Sequence, residues 1–169
     1  MTDQASFITQ CHAANVHVVA SVPDGYIVPL IRDLQNDDRI QHVAATREEE
    51  CLGIASGVAM SGRRAVALVQ NVGFLNALGC YATLCVSYRT PFLVVVSHRG
   101  NFYDKNRYDV LKYQYFNAVR GAINPFAVSW RDFREEADLV ARLLERAEVA
   151  QEPALLLLDM PPEGLSADA

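Results

Sequence analysis

Apolar positions along the chain gather into short continuous runs separated by amphipathic stretches. VHVVASV (16–22), AVALV (65–69), FLVVV (92–96) and ALLLLD (154–159) are apolar without alternation, the pattern of strands buried on both faces in a parallel sheet. A further strand over residues 40–44 fits the same rhythm. Helical patterns fall between them at 24–36, 48–61, 74–89 and 132–149, so strands and helices alternate as in βαβ units. The expected fold is α/β, an open, mainly parallel sheet of about six strands with helices on both faces, forming one domain over residues 1–169.

Two helical patterns carry more detail. In the last, Phe133, Ala137, Val140, Leu144 and Ala147 share one face while Arg and Glu fill the other, and Ser129 with Asp132 can cap its start. By contrast, FLNALGCYATLCVSYR (74–89) is apolar nearly all round. That pattern calls for cover by another subunit or for a central place in the fold. The stretch from His98 to about Asn117, rich in Tyr, Asn, Arg and Asp, reads as irregular and as a candidate lid or substrate loop.

Composition narrows the classes of function. The chain has 169 residues, 51% of them hydrophobic, enough for one sizeable core. Its formal charge of -5 is spread along the sequence with no basic stripe, which argues against nucleic acid or a membrane surface as partner and for a small ligand. The opening residues MTDQASFITQ lack the features of a secretory signal, so a cytoplasmic location is expected. Cys11, Cys51, Cys80 and Cys85 form no CxxC pair and suggest neither disulfides nor a metal site.

Ligands of open α/β sheets bind beyond the carboxyl ends of the strands. The residues there are Val22-Pro23-Asp24-Gly25, Thr46-Arg47-Glu48-Glu49-Glu50, Gln70-Asn71-Val72-Gly73 and Ser97-His98-Arg99-Gly100. Each has a plain structural reading. Asp24 suits a turn or helix cap, three glutamates suit the positive end of a helix dipole, Gln70 and Asn71 can satisfy strand-end backbone groups, and Arg99 can serve an ion pair. An isolated histidine such as His98 says little.

Taken in order, VPDGYIVPLI, ATREEECLGIASG, LVQNVGFLNALG and PFLVVVSHRG resemble the pyrimidine-binding domain of thiamine-diphosphate decarboxylases of the sulfopyruvate (alpha subunit) and phosphonopyruvate type. The resemblance runs from about Val18 to Gly100. It identifies Glu48, nine residues before Gly57, as the catalytic glutamate that hydrogen-bonds the aminopyrimidine of thiamine diphosphate. It implies Pro23, Asn71 and Gly73 as further cofactor contacts, and Asp24, Gln70, His98 and Arg99 as substrate-facing. Gly25 stands where the family usually has serine, and Phe74-Leu75 replaces a more flexible Leu-Gly.

No Gly-Asp-Gly, the family's diphosphate and Mg²⁺ sequence, occurs in the chain. The resemblance therefore implies that Mg²⁺ and diphosphate are held mainly by a separate diphosphate-binding beta subunit, in α2β2 or a multiple, with no metal ligand here. The expected activity is that of a 2-oxo acid decarboxylase subunit, sulfopyruvate to sulfoacetaldehyde and CO2 being favoured. The alternatives are phosphonopyruvate decarboxylation, carboligation, or a non-catalytic regulatory partner.

Overall fold

The computed structural model describes residues 3–102, 104, 107–124, 126–129 and 136–159. Six strands form one sheet in which every pairing is parallel. They are β1 (Val16–Ser21), β2 (Gln41–Ala44), β3 (Arg64–Gln70), β4 (Leu93–Ser97), β5 (Val128–Ser129) and β6 (Ala154–Leu158), in the spatial order β2-β1-β3-β4-β6-β5. Central strands β3, β4 and β6 are the longest apolar runs and are buried almost throughout, as their lack of alternation requires.

Helices cover both faces. On one side α1 (Asp3–Ala13), α2 (Val28–Gln35) and the C-terminal helix bring Phe7, Leu30, Leu34, Leu143 and Leu144 against Val19, Val66, Leu68 and Val95. On the other, α3 (Glu48–Met60), α4 (Asn71–Asn76), α6 (Val110–Ile123) and the π-helical turn Tyr81–Val86, which follows α5 (Leu78–Cys80), pack Leu52, Ala55, Phe74, Tyr81 and Phe116 on Val94 and Val96. The C-terminal helix, α7, spans Leu139–Ala150. No helix among the described residues is long and apolar enough to cross a membrane.

Several boundaries differ from the sequence reading. The hydropathy pattern assigned nothing before Val16, yet α1 forms there, with Phe7 and Cys11 one turn apart and fully buried. The expected helix over 24–36 begins only at Val28, because the Asp24 carboxylate accepts the Tyr26 amide and the Asp24 carbonyl accepts those of Ile27 and Val28, which makes a turn of residues 24–27. Residues 98–117 are not irregular throughout: a 3-10 turn, Arg107–Asp109, leads into α6. Phe116 is the fully buried anchor of α6, so its apolar stripe was too narrow to register.

The expected helix over 132–149 starts at Leu139 instead. Ser129, expected to cap the helix, instead ends β5, ten residues before Leu139; Asp132 and Phe133 lie outside the described residues, Ala137 is exposed in a turn, and Val140, Leu144 and Ala147 do face the core. Gln10 takes the capping role: its side-chain carbonyl accepts the Val140 amide at 3.1 Å, and its amide donates to the Glu136 carbonyl at 3.0 Å. The expected continuous helix 74–89 is also broken, into α4, α5 and a π-helical turn, Tyr81–Val86. Ser56, bonded to both Cys85 Sγ (3.4 Å) and Thr90 Oγ1 (3.0 Å), fastens the end of this segment to α3.

Between α1 and the end of α2, His12 Nε2 lies 2.7 Å from Asp37 Oδ2. Burial works against ionisation of Asp37, but hydrogen bonds from His12 and from the Arg39 and Ile40 amides outweigh it and hold the carboxyl below the ordinary aspartate value. A depressed folded pKa contributes stability that is present above about pH 4 and lost as pH falls through the folded value. Urea unfolding followed from about pH 6 to about pH 3 should therefore show a smaller acid loss in Asp37→Asn than in the parent. Equal losses would show that Asp37 contributes nothing to acid sensitivity.

Candidate active site

The polar residues selected from the sequence all lie at the carboxyl edge of the sheet, and the structure divides them into three neighbouring groups. The first is built by α3 and α4. Of the three glutamates that open α3, Glu50 folds back to accept the amides of Thr46 (2.8 Å) and Arg47 (3.2 Å) and the Thr46 hydroxyl, capping the helix. Glu49 pairs with Arg47 at 3.1 Å. Glu48, half-buried, reaches across to α4, where a Cβ placed on Gly73 would fall 1.8 Å from Glu48 Oε1. Its carboxylate thus occupies the space that any side chain at position 73 would fill.

Asn71 shapes this seat from below. It is fully buried, its amide donates to the Arg99 carbonyl at 2.9 Å, and its side-chain oxygen accepts the Val72 amide at 2.9 Å. Phe74, next along, does not line the site floor: it is buried edge-on against Tyr81 and Phe116. Pro23 is exposed at the rim after β1.

The second group centres on Asp24. Each of its carboxylate oxygens takes two donors: Oδ1 accepts the Tyr26 amide and the Ser97 hydroxyl, Oδ2 accepts Gln70 Nε2 at 2.9 Å and Arg99 Nη1 at 3.0 Å. Arg99 also donates from Nε to Asp104 at 2.8 Å, approaches Asp109 at 3.7 Å, and lies over the Tyr26 ring at 4.5 Å. Its side chain is 10% exposed. Burial opposes the charge, but the hydrogen bond to Asp104 and the fields of Asp24 and Asp104 outweigh that and raise the guanidinium pKa further. Burial pushes the Tyr26 hydroxyl up to about 12, helped by Asp104. A Cβ at Gly25 would sit 3.4 Å from Arg99 Nη1, in van der Waals contact with the guanidinium.

Gly100 explains how the chain turns back over this cluster. Its φ is +85°, and a Cβ would fall 2.1 Å from the Asp109 carbonyl oxygen. Gly100→Ala should cost roughly 1–3 kcal/mol of folding stability, seen as a lowered urea midpoint with unchanged slope. An unchanged midpoint would contradict this account of the turn.

The third group starts one residue back, at His98 just beyond β4, and faces the opposite side of the sheet. His98 is buried, its Nδ1 is 2.6 Å from Asp159 Oδ1, and its ring stacks on Tyr113 at 4.5 Å and meets Phe116 edge-on at 5.3 Å. The sequence reading missed Ser97, Tyr26, Asp104 and Asp159. The rule that selected the other positions, inspecting the polar residues at the carboxyl end of each apolar run, would have found Asp159 at the end of ALLLLD.

Residues 1–115 match the family model described as thiamine pyrophosphate enzyme, N-terminal TPP binding domain. The chain is 36% identical over 92 residues to the sulfopyruvate decarboxylase subunit alpha of Methanococcus maripaludis, covering 54% of this chain and 55% of that protein. It is 34% identical over 88 residues to the subunit of the same name in Methanocaldococcus jannaschii, covering 52% of each. A phosphonopyruvate decarboxylase of Streptomyces viridochromogenes is 29% identical over 100 residues, 59% of this chain and 25% of that enzyme. The match thus spans about half the length of the sulfopyruvate relatives. Among solved structures, the 2-oxoglutarate:ferredoxin oxidoreductase of Magnetococcus marinus superposes with a TM-score of 0.67 over 95% of this chain and 29% of that one, at 14% identity, a likeness of fold.

Proposed function

This chain belongs to the thiamine pyrophosphate enzyme family through its N-terminal TPP binding domain, and on that premise we propose that it is the pyrimidine-binding subunit of a 2-oxo acid decarboxylase. The observation that carries the reading is the Glu48 carboxylate seated on the side-chain-free backbone of Gly73 at the carboxyl edge of the sheet. The seat fits an aminopyrimidine, a flat ring that needs close backbone approach and one carboxyl group at a ring nitrogen. When bound, the cofactor supplies the carbon nucleophile and the electron sink that allow a 2-oxo acid to lose CO2.

The chain's own residues hold and tune the ring. Glu48 would share a proton with the pyrimidine nitrogen and Pro23 would border the ring from the β1 turn, while Gly73 leaves room for the carboxylate and Asn71 fixes the segment beneath. Asp24, Gln70, His98 and Arg99 are the proposed substrate side. The Arg99 guanidinium suits an acid with a sulfonate or phosphonate besides its carboxylate, His98 approaches from the other face of the sheet, and the names of the relatives support sulfopyruvate first and phosphonopyruvate second. Such an anion would compete with Asp24 and Asp104 for Arg99.

The proposal includes a diphosphate-binding beta subunit that holds Mg²⁺, in α2β2 or a multiple, with residues 1–169 acting as one pyrimidine-binding domain in the cytoplasm. The relatives' name, subunit alpha, supports a partner. So does the outer surface of α3, α5 and the adjoining π-helical segment, where Gly57, Met60, Gly79, Ala82 and Val86 are exposed. Small and apolar residues side by side on neighbouring helices suit close packing against another chain.

The test is CO2 release from sulfopyruvate, phosphonopyruvate and pyruvate by this chain assembled with its diphosphate-binding partner, thiamine diphosphate and Mg²⁺. Turnover of one acid well above the others supports the reading and names the substrate. A formed complex that releases CO2 from none of them overturns it.

A further inference from the structure

The last residues of β4 and β6 are hydrogen-bonded neighbours: Ser97 pairs with Leu158 in the parallel ladder, and the His98 amide donates to the Leu158 carbonyl at 3.0 Å. This brings the next residues, His98 and Asp159, side by side. Asn101 ties them further, its side-chain amide donating to the main-chain carbonyls of both. Between the side chains, His98 Nδ1 and Asp159 Oδ1 stand 2.6 Å apart. A carboxylate oxygen accepts hydrogen bonds, so this contact favours the tautomer with the proton on Nδ1.

The other ring nitrogen is left without a partner. His98 Nε2 is buried and makes no hydrogen bond among the described residues, with the ring clasped between the Tyr113 face and the Phe116 edge. Burying a polar atom with no bond is costly, and buried polar groups are nearly always satisfied. A histidine kept in this state has one nitrogen assigned to orientation and the other uncommitted, which is the arrangement needed for proton exchange with a bound molecule.

We propose that Asp159 is a positioning residue for His98: it fixes the Nδ1–H tautomer and the ring plane, leaving Nε2 as the group that exchanges a proton or hydrogen bond with the substrate. This rests on the decarboxylase reading for its substrate, a 2-oxo acid, while the tautomer can be measured without any turnover. Tyr113, half-buried on α6, stacks on the face of the ring and helps to hold its plane.

The first experiment is long-range 1H–15N correlation of the histidine rings in the full-length, 15N-labelled chain near neutral pH. The expected result is His98 as the Nδ1–H tautomer in the parent and in Asp159→Glu, and a mixed population in Asp159→Asn. His98 found mainly as the Nε2–H tautomer in the parent overturns the assignment. In the assembled enzyme, Asp159→Asn should lower kcat more than about tenfold with little change in KM, shift the pH profile, and be partly rescued by Asp159→Glu. Equal kcat in parent and Asp159→Asn overturns the positioning role. An assembled parent that decarboxylates nothing removes the proposed function instead, and the tautomer measurement still decides this inference.

Discussion

Gly73→Ala should abolish most of the turnover of the assembled enzyme, by about 10²-fold or more, while the chain stays folded and still assembles. The added methyl group would meet three atoms of the Glu48 side chain, Oε1 at 1.8 Å, Cδ at 2.0 Å and Cγ at 2.4 Å. These belong to the far end of a flexible side chain, so relief comes from swinging the carboxylate away, with the backbone unmoved. Position 73 is inside α4 and has no positive φ, so alanine is a good helix residue there and stability should hold within about 1 kcal/mol. The measurement is CO2 release beside thermal unfolding, with Glu48→Gln as reference, expected to lose about 10²–10⁴-fold. Parent-like turnover in Gly73→Ala would mean that the carboxylate does not act from this seat.

Arg99→Leu should be the most destabilising single change near the site. It removes the cation shared by Asp24, Asp104 and Asp109, whose side chains are only 7%, 2% and 2% exposed, while Asp109 keeps a second ion pair, with Lys112 at 2.5 Å. Removing one partner of a buried charge cluster typically costs about 3–5 kcal/mol, or roughly 6–20 °C in melting temperature for a chain of this size. Loss of stability and loss of substrate affinity would therefore arrive together, and a raised KM alone cannot assign Arg99 to the substrate. The double variant Asp24→Asn/Arg99→Leu separates the two: removing one stranded carboxylate should restore part of the stability, whereas KM should stay raised if Arg99 binds the acid. An Arg99→Leu protein as stable as the parent would show that these carboxylates do not depend on the guanidinium.

The same cluster bears on substrate choice. Arg99 already serves three carboxylates, so an incoming sulfonate or phosphonate meets a site whose nearest fixed charges include anions. If Arg99 binds the acid as proposed, selectivity for a doubly charged acid depends on exchange of Arg99 from Asp24 or Asp104 to the ligand.

The sheet and its polar edge were determined by the sequence alone. Unbroken apolar runs can be satisfied only by strands covered on both faces, and the crossovers between parallel strands put every turn after a strand at one end. That is why Asp24, Glu48, Gln70, Asn71, His98 and Arg99 could be grouped by their places just beyond the strands. Only the tertiary structure decided which of these atoms meet. Glu48 was separable from Glu49 and Glu50 by family resemblance, but its seat on Gly73 depends on the approach of α3 to α4. His98 and Arg99, adjacent in sequence, point to opposite faces because side chains alternate at a strand end. One thereby joins Asp159, Tyr113 and Phe116, the other Asp24, Asp104 and Tyr26. The helix α6 was hidden because its cover of the core rests on few buried side chains, and the apolar stretch 74–89 broke into short turns because Ser56 and Thr90, distant in sequence, fix its end. Local patterns report which face a residue needs to bury; the partner it finds there is set by segments that only folding brings together.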